Sequence, residues 1–236
     1  MNAAAINASA IIVAAGNGTR LGFDAPKAFV ELAGRSLLGW SLRTIAAVPA
    51  IEEAVIAVPE GMEARARAEV IAAGLEIPVK LTPGGAERQD SVRRALALTS
   101  AAAEIVVVHD AARPFATPAM FAATIAAAAR AGGAIAAIAL ADTLKRAAAD
   151  GRTIAATIAR AGLWQAQTPQ AFRRELLVAA HARAVLEAIA ATDDADLVER
   201  CGGVVELIEA AALNFKITTA ADFRLAVALA RSPAPH

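Results

Sequence analysis

The stretch Ala10-Ile11-Ile12-Val13-Ala14-Ala15-Gly16-Asn17-Gly18-Thr19-Arg20-Leu21-Gly22 begins as an uncharged apolar run and breaks into glycines. A strand exposed on one face alternates apolar with polar residues. Residues 10–15 are apolar throughout, so they read as a strand buried on both faces of a parallel sheet. The turn after such a strand lies at the carboxyl edge, where open α/β sheets take their ligands. Gly16 and Gly18 lack a Cβ and let backbone N–H groups approach an anion, although the same pair also suits a purely structural turn. One familiar nucleotide loop is disfavoured and another excluded. The dinucleotide fingerprint needs glycine or alanine where Leu21 stands, and a P-loop needs Gly-Lys-Ser/Thr, which the chain lacks. Arg20, and the Lys27 that follows Pro26, add a forked and a point cation, a pair suited to negative charge growing on phosphorus.

Outward from that loop, short β-branched runs alternate with alanine-rich helical stretches, the rhythm of an α/β fold with a mostly parallel sheet and helices on both faces. Strands are expected at 54–58, 79–81, 104–108, 134–140 and 204–208. Ser36 caps a helix carrying Leu38, Leu42 and Ile45 at helical spacing. Further helices are predicted over about 62–73, from Gln89 or Asp90, and over 118–131 behind the cap Thr117 with Gly132-Gly133 as its stop. Two more start at Thr192 or Asp193 and at Thr219. Thr168-Pro169 repeats the Thr117-Pro118 pattern and so predicts a helix running to about Ala190. Residues 142–167 break the rhythm, because two short extended segments flank the turn dipeptide Asp150-Gly151; they read as a protruding β-arm on a single domain spanning 1–236.

Composition bounds the partners. The chain has 236 residues, 57% hydrophobic and 19% charged, which excludes disorder. Its 23 basic residues cancel 23 acidic ones, so no overall positive field exists to hold nucleic acid and any cationic function must be focal. Cys201 is the only cysteine, so no disulfide or cysteine-based zinc cluster forms within one chain, and a reducing, cytoplasmic setting is expected. Residues 1–19 carry no charge but lack the basic start of a secretory leader, and read as mature sequence. The charge-free stretch 114–129 is broken by prolines and too short to span a bilayer, so no membrane partner is expected.

Four motifs in order carry a family resemblance: Ala14-Ala15-Gly16-Asn17-Gly18-Thr19-Arg20 with Pro26-Lys27; Gly84-Gly85-Ala86-Glu87-Arg88-Gln89-Asp90-Ser91-Val92; His109-Asp110-Ala111-Ala112-Arg113-Pro114; and Gly162-Leu163-Trp164-Gln165-Ala166-Gln167-Thr168-Pro169-Gln170. Together they resemble the 2-C-methyl-D-erythritol 4-phosphate cytidylyltransferases of the non-mevalonate isoprenoid pathway, over nearly the whole chain. The resemblance implies a Rossmann-like nucleotidyltransferase fold and transfer of a cytidylyl group from CTP to a polyol phosphate, with Mg²⁺ or another divalent cation. It implies that Ala14, Ala15, Gly16 and Gly18 wrap the triphosphate while Arg20 and Lys27 stabilise the transition state. Gly84, Gly85, Arg88 and Ser91 would meet the nucleotide, and Asp110 the ribose or the metal. Arg113, Thr143, Arg160, Thr168, Thr192 and Lys216 would hold the polyol phosphate, Arg160 and Lys216 as catalytic cations. In such a family the arm packs on a second subunit of a homodimer and lends Thr143 and Arg160 to the neighbour's site.

Each residue also has a plainer reading. Ser91 or Asp90 suits a helix cap, and Arg88 can simply order its loop. Asp110 can pair with Arg113, and Lys216 in its extended segment can be a solvated edge residue. His109 reads as structural, since an ionised phosphate nucleophile needs no general base. Asp193, Asp194 and Asp196 read as helix-start charges, and Trp164 and His181 as packing or surface residues. Three rivals remain: a ribitol 5-phosphate cytidylyltransferase, a dinucleotide-dependent dehydrogenase disfavoured by Leu21, and a nucleotide-binding module without turnover.

Overall fold

The structure, a computed structural model, describes residues 6–16, 18 and 25–231. Its frame is a seven-stranded sheet. The first strand, β1 (Ala8–Val13), is central and pairs in parallel with β4 (Ile51–Val58) and β6 (Ile105–Asp110). β5 (Val79–Pro83) forms one edge beside β4. Beyond β6 lie β10 (Trp164–Arg173), β7 (Gly133–Ala139) and the other edge strand β11 (Val205–Glu209). β10 runs antiparallel to both neighbours, whereas β11 and β7 are parallel. Two short strands, β2 (Glu31–Leu32) and β3 (Arg35–Ser36), pair beside the sheet.

Strand alternation divides the core into two layers. Ala8, Ala10 and Ile12 of β1, with Ile105 and Val107 of β6, face α1 (Leu37–Ala46), α2 (Glu63–Ala72) and α4 (Pro118–Ala131). Ile11, Val106 and Val108 face the other way, toward α3 (Arg88–Leu96), α5 (Arg174–Leu186) and α6 (Asp194–Arg200). Phe121 of α4 and Phe172 of β10 are fully buried in opposite layers, each stabilising the fold by about 1.5–3 kcal/mol. The last helix, α7 (Ala220–Arg231), covers a separate cluster of Leu32, Leu37 and Ile217.

Caps behave as the sequence predicts where they are local. Ser36 accepts the Gly39 N–H and Thr117 that of Met120, and Gly132 ends α4 at φ 106°. Thr168-Pro169 does not. It lies inside β10, and the helix predicted to start there begins at Arg174. The reason is tertiary: the Thr168 hydroxyl is committed to β6 rather than to its own next turn. Between residues 142 and 167, β8 (Leu144–Ala147) and β9 (Ile154–Ile158) pair, among the described residues, only with each other, closed by a turn in which Asp150 accepts the Arg152 and Thr153 N–H groups. Among the described residues no helix is long and apolar enough to cross a membrane.

Candidate active site

His109 and Asp110 are the last two residues of β6, and alternation sends them to opposite layers. The His109 ring meets Phe121 at 5.0 Å between centroids. Asp110 turns toward the start of α3. Its Oδ1 accepts from Arg88 Nε at 2.9 Å and its Oδ2 from Lys216 Nζ at 2.6 Å. Arg88, the first residue of α3, donates its other arm to Asp194 Oδ2 at 2.7 Å. Burial alone would raise the Asp110 pKa; Arg88 and Lys216 outweigh it and hold the carboxyl far below its usual range. Burial works in the opposite sense on Arg88, where Asp194 and Asp110 outweigh it and strengthen its hold on the proton.

Hydrogen bonds around His109 fix the polarity of one cleft hydroxyl. Burial, the largest cause, pushes the His109 pKa down to about 4, so the ring is neutral near pH 7. Its Nε2 lies 3.3 Å from the Arg113 carbonyl, which only accepts; that nitrogen therefore carries the proton. Nδ1 is then an acceptor, and the partner 3.0 Å away is the Thr168 hydroxyl, which must donate to it. Thr168 Oγ1 also accepts the Asp110 N–H at 3.0 Å. Its donor and one lone pair are used, so toward the cleft Thr168 acts only as an acceptor. That suits a substrate hydroxyl and not an ionised phosphate oxygen.

Two adjoining cleft compartments meet over Arg88, Asp110 and Lys216. The first runs past Val13, Ala14, Gly16 and Lys27, and among the described residues its lining holds the cations Lys27, Arg88 and Lys216 against the carboxylate of Asp110. The second holds Arg88, Arg113 and Lys216 against Asp110 and Asp193, and is otherwise lined by neutral hydrogen-bonding groups such as Gln167, Thr168, Gln170 and Thr192. An excess of cations suits a polyphosphate in the first. A smaller excess among amides and hydroxyls suits a polyhydroxylated monophosphate in the second.

The predicted residues divide accordingly. Ala14, Gly16, Lys27, Arg88, Asp110, Arg113, Thr168, Thr192 and Lys216 line the clefts. Ala15, Gly84, Gly85 and Ser91 lie one step back and shape the loops. A Cβ on Gly84 would come within 2.1 Å of the Ala15 Cβ, and the Ser91 hydroxyl accepts the Gly85 N–H at 3.0 Å. Gly18 takes φ +66°, and a Cβ there would sit 2.6 Å from that of Lys27. Thr143 and Arg160 are exposed near the arm and line neither compartment of this chain. Arg20 lies outside the described residues, as do Asn17 and residues 19–24.

Sequence reasoning missed the supporting shell. Asp194, read as a helix-start charge, is 1% exposed and bonds both Arg88 and His181 Nε2, the latter at 3.1 Å. Asn214 is fully buried, donates to Gln167 Oε1 and the Thr168 carbonyl, and its own backbone carbonyl receives Arg113. Gln89 ties α3 to the loop before Thr192 through the Ile189 carbonyl and the Ala191 N–H. Nothing local marks these side chains, since each meets its partners across about a hundred residues or from another element.

The described residues form no all-protein metal cage, whereas Mg²⁺ carried by substrate phosphates needs only one or two carboxylates. Both Asp110 oxygens already accept from cations, and among the described residues no group of three or more His, Cys, Asp or Glu could hold an ion.

Comparison with known proteins agrees with this geometry. Residues 8–232 match the family IspD, 2-C-methyl-D-erythritol 4-phosphate cytidylyltransferase. The 2-C-methyl-D-erythritol 4-phosphate cytidylyltransferase of Deinococcus radiodurans is 49% identical over 221 residues, covering 94% of this chain and 88% of that protein. A bifunctional enzyme IspD/IspF of Anaeromyxobacter is 46% identical over 95% of this chain, which spans 58% of that longer protein. Among solved structures, a 4-diphosphocytidyl-2C-methyl-D-erythritol synthase from Anaerococcus prevotii superposes with a TM-score of 0.85 at 28% identity, covering 97% of each chain. The 2-C-methyl-D-erythritol 4-phosphate cytidylyltransferase of Thermus thermophilus gives 0.78 at 36%, covering 96% of this chain and 100% of that one. With its cation-rich cleft at the carboxyl edge of a mostly parallel sheet, this chain belongs to the 2-C-methyl-D-erythritol 4-phosphate cytidylyltransferase family.

Proposed function

We propose that the chain transfers the cytidylyl group of CTP to 2-C-methyl-D-erythritol 4-phosphate, giving 4-diphosphocytidyl-2-C-methyl-D-erythritol and pyrophosphate in isoprenoid biosynthesis. The observation that carries this reading is the charge difference between two compartments sharing Arg88, Asp110 and Lys216. CTP occupies the compartment with the larger cationic excess, and the polyol phosphate the hydroxyl- and amide-lined one. A phosphate oxygen of the polyol phosphate attacks the α-phosphorus in line. The new P–O bond forms as the bond to the β-phosphate breaks, and the electron pair leaves on pyrophosphate. No covalent enzyme intermediate and no general base are needed, which agrees with a buried, neutral His109 serving as scaffold. Lys27 and Arg20 stabilise the charge that grows around the α-phosphorus, and Lys216 and Arg113 hold the attacking phosphate.

A divalent cation such as Mg²⁺ neutralises triphosphate charge when bound. Asp110, the carboxylate at the junction that would help hold it, already has both oxygens engaged by Arg88 and Lys216, so the triphosphate itself would have to supply most of its ligands. The working form is a homodimer in which the arm carries Thr143 and Arg160 to the partner's second compartment. This agrees with their exposure here and with Ile154, 66% exposed on β9. The single cysteine and the family's metabolic role suit the cytoplasm.

A pyrophosphate-release assay crossing CTP, UTP, ATP and GTP with methylerythritol phosphate and ribitol 5-phosphate tests the assignment. Turnover is expected with CTP and methylerythritol phosphate. Turnover with the ribitol compound alone would reject the substrate, and CTP binding without pyrophosphate release would leave only a nucleotide-binding module.

A further inference from the structure

Arg88 touches both compartments, yet its geometry is set from behind. A continuous chain of hydrogen bonds runs from His181 Nε2 to Asp194 Oδ1, from Asp194 Oδ2 to Arg88 NH1, from Arg88 Nε to Asp110 Oδ1, and from Asp110 Oδ2 to Lys216 Nζ. Its members come from α5, α6, α3, β6 and the segment before α7. Asp194 cannot meet substrate, because it is 1% exposed and lines neither compartment. Its backbone N–H is pinned at 3.3 Å by Gln170 Oε1, and Asp193 beside it caps α6, so the carboxylate has little room to turn.

We infer that Asp194, braced by His181, is a positioning residue for cytidylyl transfer: it fixes the Arg88 fork, so that Asp110 is divided between Arg88 and Lys216 and Lys216 is held at the junction of the two compartments. Arg88 lies between two carboxylates, each taking one edge of its planar group. With the Asp194 charge removed, the guanidinium is expected to turn its Nε–NH2 edge onto both Asp110 oxygens, using the NH2 that has no partner among the described residues. The Asp110 oxygens are then occupied from one side, and Lys216 loses the anchor that aims it. A role that reaches a cleft lysine through two intervening side chains is not a contact role, and it extends the working part of the molecule to α5 on the far side of α6.

The inference rests on the cytidylyl-transfer reading, which wild-type turnover tests independently and first. The test is a double-mutant cycle on kcat/KM for methylerythritol phosphate, using D194N, K216Q and the combined variant, with circular-dichroism melting of each. D194N is expected to lower kcat/KM tenfold or more at temperatures where it is fully folded. In the K216Q background the same change is expected to cost less than about twofold, because the route through Lys216 is already broken. Should D194N fail to fold, H181F replaces it. That change leaves the Asp194–Arg88 pair in place but removes its brace, and a smaller loss that again vanishes in K216Q is expected. Equal fold-losses in both backgrounds, or a lower melting temperature with unchanged kcat and KM, would overturn the inference.

Discussion

At the scale of single residues, the site works by fixing which groups can donate. Thr168 commits its proton to His109 Nδ1, so Thr168→Ser keeps the pattern and Thr168→Val destroys it. The valine leaves the Asp110 N–H and the His109 nitrogen buried without partners, a loss of about 1–3 kcal/mol for each unsatisfied group. Chemical denaturation is expected to report that loss for Thr168→Val and little for Thr168→Ser. His109 itself predicts an acid limb. Its folded pKa is about 4 against 6.5 for the unfolded residue, so the unfolded chain binds more protons between those values. Stability from this group is present above pH 6.5 and is lost as pH falls toward 4. Asp110 and Asp194, whose pKa values are depressed by their cationic partners, lose theirs only below the ordinary carboxylate range. Denaturation midpoints at about pH 7, 5.5 and 4.5 should therefore fall for the wild type, and a His109→Asn variant should show a flatter slope over the same interval. Lys27 makes a different demand. In the nucleotide compartment a lost point charge is felt in the transition state, so Lys27→Ala is expected to lower kcat by about 10² with little change in KM for CTP. A loss confined to KM would contradict that role.

At the scale of elements, what could be read from the sequence depended on whether a residue's partners were its neighbours. The apolar runs of β1 and β6, the Ser36 and Thr117 caps and the Gly132 stop are local, and the structure has them within a few residues of the expected positions. The apolar run 105–108 ends in His109-Asp110, and the strand it forms delivers Asp110 to the ligand edge. Thr168-Pro169 had the same local signature as Thr117-Pro118 but the opposite fate, because β10 places Gln167, Thr168 and Gln170 against β6 and Asn214, where buried amides and hydroxyls replace an apolar strand pattern. The partners of Asp194, His181 and Asn214 were invisible for the same reason. The glycines give this scale its prediction. Gly84 and Gly16 look alike in sequence, but a Cβ at 84 collides with Ala15, whereas one at 16 meets nothing within 4 Å among the described residues. Gly84→Ala should thus push the β5–α3 loop off the first loop and lower the melting temperature. Gly16→Ala should leave melting unchanged and, on the proposed placement of CTP, raise KM for CTP, since its new methyl would occupy space assigned to the triphosphate. Melting curves alongside CTP titrations separate the two.

At the scale of the whole molecule, the question is why the second compartment holds only part of the expected machinery. Thr192, Thr168, Arg113 and Lys216 converge there, while Thr143 and Arg160 stand exposed near an arm that pairs with no other strand among the described residues. A hairpin projecting from the sheet and exposing Ile154 gains little by itself; burial against a second copy would supply both the missing area and the missing cation. If so, each active site takes Lys27 from one subunit and Arg160 from the other. Lys27→Ala and Arg160→Ala homodimers are then both expected to be crippled, each for its own reason. In a mixed dimer the two lesions fall into the same site and leave the other site intact. Co-refolding equal amounts gives half mixed dimers by random pairing, so roughly a quarter of all sites should regain wild-type chemistry. The measurement is pyrophosphate release after co-refolding, compared with the two variants refolded separately and then combined. Activity near a quarter of wild type would place Arg160 in the neighbour's cleft. Activity no greater than the average of the two variants would mean that each chain completes its own site or that Arg160 takes no part.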